Sequence, residues 1–330
     1  MHKLPEILQV RVAELAPCAE GVVRLTLEAA DGGALPAFSP GAHIDVYLGN
    51  GLVRQYSLSN FQPAPYIYEI AVGMVAESRG GSRYVHEAIR AGHVLGISTP
   101  RNNFALAEEA DVHIFIAGGI GITPILSMLR WCELHGKQWR LLYAAKSRRC
   151  AAYLDQLEEF DRRRLHLHFD DEHSGYADLV DYLALPQPGS ERNELSASEH
   201  IYCCGPELLM KAVELAAAGR TAGTVHFERF SAPVAEPAKG VDAPFILRLK
   251  RSGMEVPVEA DTSILQALEN AGVALPFSCR EGLCRSCETA VCSGVPEHRD
   301  YVLSDAEQAS NKTMMVCVSR SRTPVLELDI

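Results

Sequence analysis

Cys279, Cys284, Cys287 and, farther along, Cys317 are side chains able to hold iron. The first three are spaced C-x4-C-x2-C within SCREGLCRSCETAVCSG (278–294). With a distant fourth cysteine, that spacing is one of the arrangements that hold a [2Fe–2S] cluster. A tight loop wraps three thiolates around one side, and a thiolate from a remote strand closes the other. Glycine helps such a loop turn and lets backbone N–H groups approach the sulfurs. A zinc site and a disulfide staple are the alternatives. Structural zinc usually takes two paired C-x2-C or H-x3-H units, and this chain has a single C-x2-C. Cys292, in TAVCSG, reads as a packed small hydrophobe, as do Cys18, Cys132, Cys150 and Cys203.

A cluster moves one electron at a time and needs a source. In FIAGGIGITPI (115–125) a buried strand runs into Gly118, Gly119 and Gly121 and then a helix, with Thr123 placed for its N-cap and Pro124 for its first turn. Glycines there let the backbone approach a pyrophosphate, which the helix N-terminus attracts. YCCGPELLM (202–210) ends a second buried strand at Cys204, and Gly205 and Pro206 turn it into a helix. This is the carboxyl end of a parallel strand, where α/β sheets bind ligands. RQYSLSN (54–60) reads as a strand with Arg54, Tyr56 and Leu58 on one face and Gln55, Ser57 and Ser59 on the other. Arg54 could neutralise a phosphate, Tyr56 could pack on a flat ring and Ser57 could hydrogen-bond it. In SRGGSRYVHEAI (78–89), Gly80, Gly81 and Ser82 make a second phosphate cradle. Each stretch has an ordinary alternative: a glycine turn, a buried thiol, an amphipathic strand.

The elements that must position these groups follow from periodicity. Residues 7–98 read as short strands punctuated by Gly, Pro and Asn, the pattern of an antiparallel β-barrel or sandwich. From Glu108, continuous apolar strands such as VHIFIAG alternate with helical stretches, including 124–135, AAYLDQLEEF and 176–184. That pattern predicts a doubly wound parallel sheet, an α/β domain. APVAEPAKGVDA (232–243) reads as a linker. After it come a hairpin around Ser252–Gly253, a helix over SILQALENAG ending at Gly272, the cysteine stretch, and the strands MMVCVS and PVLELDI, a small α+β unit. The expected division is 1–107, 108–231, 232–243 and 244–330.

Bulk properties exclude other classes. The 330 residues carry a net charge of −11, which argues against nucleic acid or an anionic membrane as partner. No apolar run approaches the ~18 residues of a membrane helix. MHKLPEILQVRVAEL has no signal-like core, so a cytoplasmic protein with reduced thiols is expected, which weakens the disulfide reading; a monomer is expected as well.

In the order RQYSLSN, RGGS, GGIGITP, CCGP, HFERF and C-x4-C-x2-C with a distant Cys, the chain resembles the phthalate dioxygenase reductase family over essentially its whole length. HRDYVLSD (298–305) and MVCVSR (315–320) are similar to its ferredoxin end. The resemblance implies a barrel that binds FMN through Arg54, Tyr56, Ser57 and Ser59, with Gly81 and Ser82 at the phosphate. It implies NADH binding through Gly118, Gly119, Gly121 and Thr123, with Cys204, Gly205 and Pro206 near the nicotinamide. Glu228 and Phe230 of HFERF match residues that close over the flavin. A C-terminal plant-type ferredoxin domain (β-grasp) holds [2Fe–2S] on Cys279, Cys284, Cys287 and Cys317. The implied activity is hydride transfer from NADH to flavin, then single-electron delivery through the cluster to a separate Rieske-type oxygenase acting on an aromatic or similar substrate. No catalytic acid, base or nucleophile is needed, and His298 and Asp300 read as a surface loop or partner contact. NADH is expected over NADPH, although Lys146, Arg148 and Arg149 in AAKSRRC could grip a 2′-phosphate. A flavin reductase without a cluster, and a zinc-stapled nucleotide-binding protein, are the competing readings. In one place the chain departs from the family: Arg285 stands where the family usually has glycine, in Cys284-Arg285-Ser286-Cys287.

Overall fold

Strand periodicity builds the first sheet. The computed structural model describes residues 6–75, 80–173, 175–184, 199–232 and 242–330. β1 (Ile7–Ala19), β2 (Val22–Ala29), β3 (His43–Tyr47), β4 (Val53–Ser57), β5 (Ile67–Gly73) and, after helix α1 (Gly81–Ala88), β6 (Val94–Ser98) pair antiparallel in the order β4-β3-β6-β1-β2-β5. The sheet closes where the Ser59 N–H donates to the Glu69 carbonyl (2.9 Å), just beyond β4. Inward residues such as Val10, Val12, Leu25, Leu27, Ile44 and Ile97 fill the barrel.

The second sheet is all parallel, in the order β11-β10-β7-β8-β9. Its members are β7 (Val112–Gly118), β8 (Gln138–Ala145), β9 (Leu165–Phe169), β10 (Glu199–Cys204) and β11 (Val225–Glu228). Every residue of β7 is buried, as a strand covered on both faces requires. Each of its large apolar side chains contributes about 1.5–3 kcal/mol by burial. The connecting helices are α2 (Ile122–Leu134), the short α3 (Leu154–Leu157), α4 (Leu179–Ala184) and α5 (Glu207–Ala216). α2 stops where Gly136 takes φ 65° and the Lys137 N–H returns to the Cys132 carbonyl (2.9 Å). AAYLDQLEEF forms a single helical turn rather than a full helix, because Tyr153 sits in the left-handed region (φ 62°) immediately before it.

The third sheet is mixed, in the order β13-β12-β18-β14-β16. β12 (Phe245–Leu249) and β13 (Glu255–Val258) form the expected hairpin, with Gly253 at φ 69°. α6 (Ile264–Asn270) is capped by Ser263, whose hydroxyl accepts the Gln266 N–H (3.1 Å). β14 (Glu288–Ser293), β15 (Pro296–Glu297), α7 (Asp305–Ser310), β16 (Thr313–Met315), β17 (Arg320–Ser321) and β18 (Val325–Leu328) follow. β12 and β18 pair in parallel and the other pairs are antiparallel, giving the β-grasp arrangement. MMVCVS is not one strand: it leaves the sheet after Met315 and turns, with the Ser319 N–H donating to the Met315 carbonyl (3.0 Å), so that Cys317 sits on the turn.

The chain divides into two compact units, 6–228 and 229–330. The barrel and the parallel sheet therefore belong to one unit, joined by hydrogen bonds such as Gly41 N–H to Ser127 Oγ (3.0 Å) and Glu20 N–H to the Arg149 carbonyl (2.8 Å). Most of the expected linker, 233–241, lies outside the described residues. Among the described residues, no helix is long and apolar enough to cross a membrane.

Buried histidines, His113 among them, make the first unit acid-sensitive. His113 on β7 is fully buried, stacks on Phe115 (6.0 Å) and has no hydrogen-bond partner on either ring nitrogen. Burial pushes its pKa down to about 4. The unfolded chain takes up this proton first, near pH 6.5, so stability is complete above pH 6.5 and falls as pH drops towards 4. The loss reaches about 3 kcal/mol at most, from a shift of roughly 2.5 pH units. His113→Phe removes no hydrogen bond and is expected to make the acid limb of the Tm–pH curve less steep; an unchanged limb would refute this assignment.

Candidate functional site

The cysteine loop supplies a complete donor set. Cys284, Cys287 and Cys317 are buried and Cys279 is half-buried, and none of the four is in a disulfide. Their thiols are neighbours in the order Cys284, Cys279, Cys317, Cys287. The backbone between them turns inward. The N–H groups of Glu281 and Leu283 donate to Cys279 Sγ (3.3 and 3.4 Å), and the Gly282 N–H faces Cys317. The turn needs positive φ at Arg280 (59°), Gly282 (72°) and Arg285 (57°). Among the described residues, no three His, Cys, Asp or Glu side chains are placed to hold a single ion. A two-iron cluster, which divides four thiolates between two metals, does not need that convergence. The chemistry of the donors, four thiols ringed by backbone N–H groups, fits such a cluster. Cys292 lies apart on β14.

Gly282 has no room for a side chain. A Cβ there would sit 2.7 Å from Val318 Cγ2 and 3.0 Å from Asp300 Cα. Asp300 is not on a surface loop, as the sequence suggested. Its side chain is fully buried and Oδ2 accepts the Leu303 N–H (2.9 Å), while His298, also buried, lies 3.6 Å from Oδ1. The pair braces the segment packed on the cysteine loop.

In the first unit, four of the chosen residues come together at the start of α1. The Arg54 side chain crosses Gly81 so closely that a Cβ there would be 2.5 Å from Nε. Gly80 precedes it at φ 89°, and Ser82 Oγ accepts the Val75 N–H (3.3 Å). A guanidinium laid over a glycine turn at a helix N-terminus is a cradle for a phosphate. Tyr56 packs half-buried on the barrel core, and burial raises its hydroxyl pKa to about 12.

Ser57, Glu228 and Cys204 meet from three strands. Cys204 pairs directly with Glu228 across β10 and β11, and Ser57 Oγ lies 3.5 Å from Glu228 Oε2. Desolvation pushes the Glu228 carboxyl up to about 8, opposed by its hydrogen bond to Ser57. Desolvation also holds the Cys204 thiol well above its ordinary value, so it is a thiol and not a thiolate at neutral pH. Phe230 belongs to the other unit and is exposed.

Three placements differ from the local sequence pattern. β4 ends at Ser57, so strand alternation does not reach Ser59. Ser59 is fully buried, its hydroxyl shared among the Glu69 carbonyl (3.1 Å), Glu69 Oε1 (3.0 Å) and Tyr153 Oη (2.8 Å). Thr123 is inside the first turn of α2, not its N-cap, and donates back to the Ile120 carbonyl (3.0 Å). The glycines after β7 serve packing as much as ligand approach. A Cβ on Gly121 would lie 2.2 Å from the Cys204 carbonyl oxygen, and one on Gly118 2.6 Å from Pro206 Cδ and 3.3 Å from Gly205 Cα. Gly119, at φ 54°, has open space. The two strand-to-helix turns thus touch at the carboxyl edge of the sheet. Tyr153 and Glu69 had no sequence signal, since each acts through partners remote in the chain.

Two of the three basic residues after β8, Arg148 and Arg149, are engaged by carboxylates. Arg148 makes two hydrogen bonds to Glu172 (3.1 and 3.2 Å) and lies over the Phe169 ring, and Arg149 pairs with Glu20 (3.2 Å).

Comparison with known proteins agrees with this geometry. Residues 115–215 match the oxidoreductase NAD-binding domain model, and residues 247–322 match the 2Fe-2S iron-sulfur cluster binding domain model. The chain is 43% identical over 323 residues to phenoxybenzoate dioxygenase subunit beta of Ectopseudomonas oleovorans, covering 98% of this chain and 97% of that one. It is 36% identical over 325 residues to the phthalate dioxygenase reductase of Burkholderia cepacia, covering 98% and 97%. A solved phthalate dioxygenase reductase, described as a modular structure for electron transfer from pyridine nucleotides to [2Fe-2S], superimposes with a TM-score of 0.71 at 36% identity, covering 98% of both chains. With its barrel, parallel nucleotide sheet and cysteine-bearing β-grasp sheet in the same order, the chain belongs to the phthalate dioxygenase reductase family.

Proposed function

We propose that the protein is the NADH-dependent reductase of a two-component oxygenase system, passing electrons from FMN to a [2Fe–2S] cluster and on to a Rieske-type oxygenase component. The observation that carries the hydride half of this reading is the meeting of Ser57 with Glu228 and Cys204, which brings the barrel strand β4 to the carboxyl edge of the nucleotide sheet. The proposed domains are 1–107 for FMN, 108–231 for NADH and 244–330 for the cluster. Arg54, Gly80, Gly81 and Ser82 hold the flavin phosphate, and Tyr56 packs beside its ring. Gly119, with open space above it, admits the dinucleotide pyrophosphate. Cys204, neutral and buried, offers the nicotinamide an uncharged wall. Glu228, protonated below about pH 8, keeps negative charge away from the ring that receives hydride. The flavin supplies the exchange between two-electron and one-electron chemistry, and plant-type clusters near about −400 mV lie below Rieske centres at about −150 to +300 mV. The carboxylate partners of Arg148 and Arg149 favour NADH, because a 2′-phosphate would have to displace them.

Anaerobic NADH titration of the purified protein tests the reading. Flavin bands and a broad visible cluster band should both bleach, FMN should be released on extraction, and kcat/KM should be higher with NADH than NADPH. A colourless protein, or flavin without the cluster band, would overturn it. The rate of flavin reduction is further expected to change between pH 7 and 9 as Glu228 ionises, and Glu228→Gln should remove that transition.

A further inference from the structure

We propose that Arg285 is a positioning residue: it clamps the cysteine loop to helix α7 and, with Glu307, sets the reduction potential of the cluster that the loop holds. The proposal rests on the [2Fe–2S] reading above. Arg285 lies between two ligands in sequence and takes φ 57°, a conformation that costs a non-glycine residue and that glycine would adopt freely. The side chain accounts for its presence. Its Nη2 donates to Glu307 Oε1 (2.6 Å) and to the Val302 carbonyl (3.2 Å), and Nη1 lies 3.8 Å from Glu288 Oε2.

Glu307 is itself held in place. Its Oε2 accepts the Ser304 N–H and hydroxyl (both 2.8 Å), and its own N–H donates to Ser304 Oγ (3.3 Å), a closed capping box at the start of α7. The same segment reaches back to the loop at a second point, where the Tyr301 N–H donates to the Gly282 carbonyl (3.1 Å). The cysteine loop is therefore tied to 300–307 on both sides of Cys284. With three oxygens around it and its side chain only 30% exposed, the guanidinium faces the protein's own carboxylates rather than a docking partner.

The charge balance gives the direction of the effect. Arg285 stands among two carboxylates, Glu288 and Glu307. Reducing the cluster adds negative charge beside them. Removing the cation should disfavour reduction and lower the potential, and removing the Glu307 charge should raise it.

The test is an EPR-monitored redox titration of the full-length protein and of Arg285→Gln, Glu307→Gln and the double variant. Expected is a drop for Arg285→Gln, a rise for Glu307→Gln, and a double variant between the two. Each single shift should be about threefold to tenfold in the one-electron equilibrium, tenfold being about 59 mV. Gln at 307 can still close the capping box, so a role confined to folding would move neither potential, or both in one direction; either result overturns the proposal. If Arg285→Gln does not assemble its cluster, Glu307→Gln decides alone: a raised potential supports the proposal, and an unchanged or lowered one overturns it. A wild-type protein without a [2Fe–2S] EPR signal overturns the cluster reading itself, before any variants are compared.

Discussion

Cys317→Ser is expected to abolish the visible cluster absorption and to cut electron delivery to a protein acceptor by more than the 10–100-fold that outer-shell changes typically cost. Flavin reduction by NADH should survive, because the barrel and nucleotide sheet lie in the other compact unit. The expectation follows from placement: Cys317 stands between Cys279 and Cys287. Cys292→Ser is the control. Cys292 is half-buried on β14, away from these thiols, and its replacement should leave the spectrum intact. A retained cluster in Cys317→Ser together with a lost one in Cys292→Ser would reverse the ligand assignment.

Gly121→Ala should be among the most damaging single-methyl changes in the first unit. Gly121 has φ −63°, so the backbone accepts alanine; the obstacle is steric. The new methyl would overlap the Cys204 carbonyl at 2.2 Å and the Cys204 carbonyl carbon at 2.5 Å, both of them backbone atoms that cannot swing away. Overpacking of this kind costs about 1–3 kcal/mol or more. In a unit of this size that is a fall of about 2–4 °C in Tm per kcal/mol. Because the clash forces apart the turns that carry Gly119 and Cys204, NADH-driven flavin reduction should fall even in the fraction that folds. Gly119→Ala is the informative comparison. It meets nothing within 4 Å and pays only for φ 54°, about 1 kcal/mol. Equal losses in the two variants would mean that the glycines serve the ligand and not the packing.

Much of the molecule is local and was legible in order. The apolar run VHIFIAG, the cap at Ser263 and the hairpin at Gly253 depend on neighbours a few residues away, and so does the thiol spacing. Periodicity and turn chemistry report such neighbours directly. What local pattern could not report was which distant groups each side chain meets. Alternation along RQYSLSN placed Ser59 beside Ser57, yet the strand ends between them and Ser59 turns to Glu69 and Tyr153. Ser57 finds Glu228 across 171 residues. Gly118 and Gly121 read as a phosphate cradle, but their missing side chains make room for the turn after β10. Arg285 had no explanation in the ligand spacing, and its partner Glu307 lies 22 residues on, on a helix. The sequence by itself determined the cysteine spacing, the order of the motifs and the type of each sheet, because those are written in residue types and short periods. The tertiary structure alone decided which distant polar groups meet and which are consumed in holding the framework, because a hydrogen bond is settled by a partner within about 3 Å, wherever in the chain that partner lies.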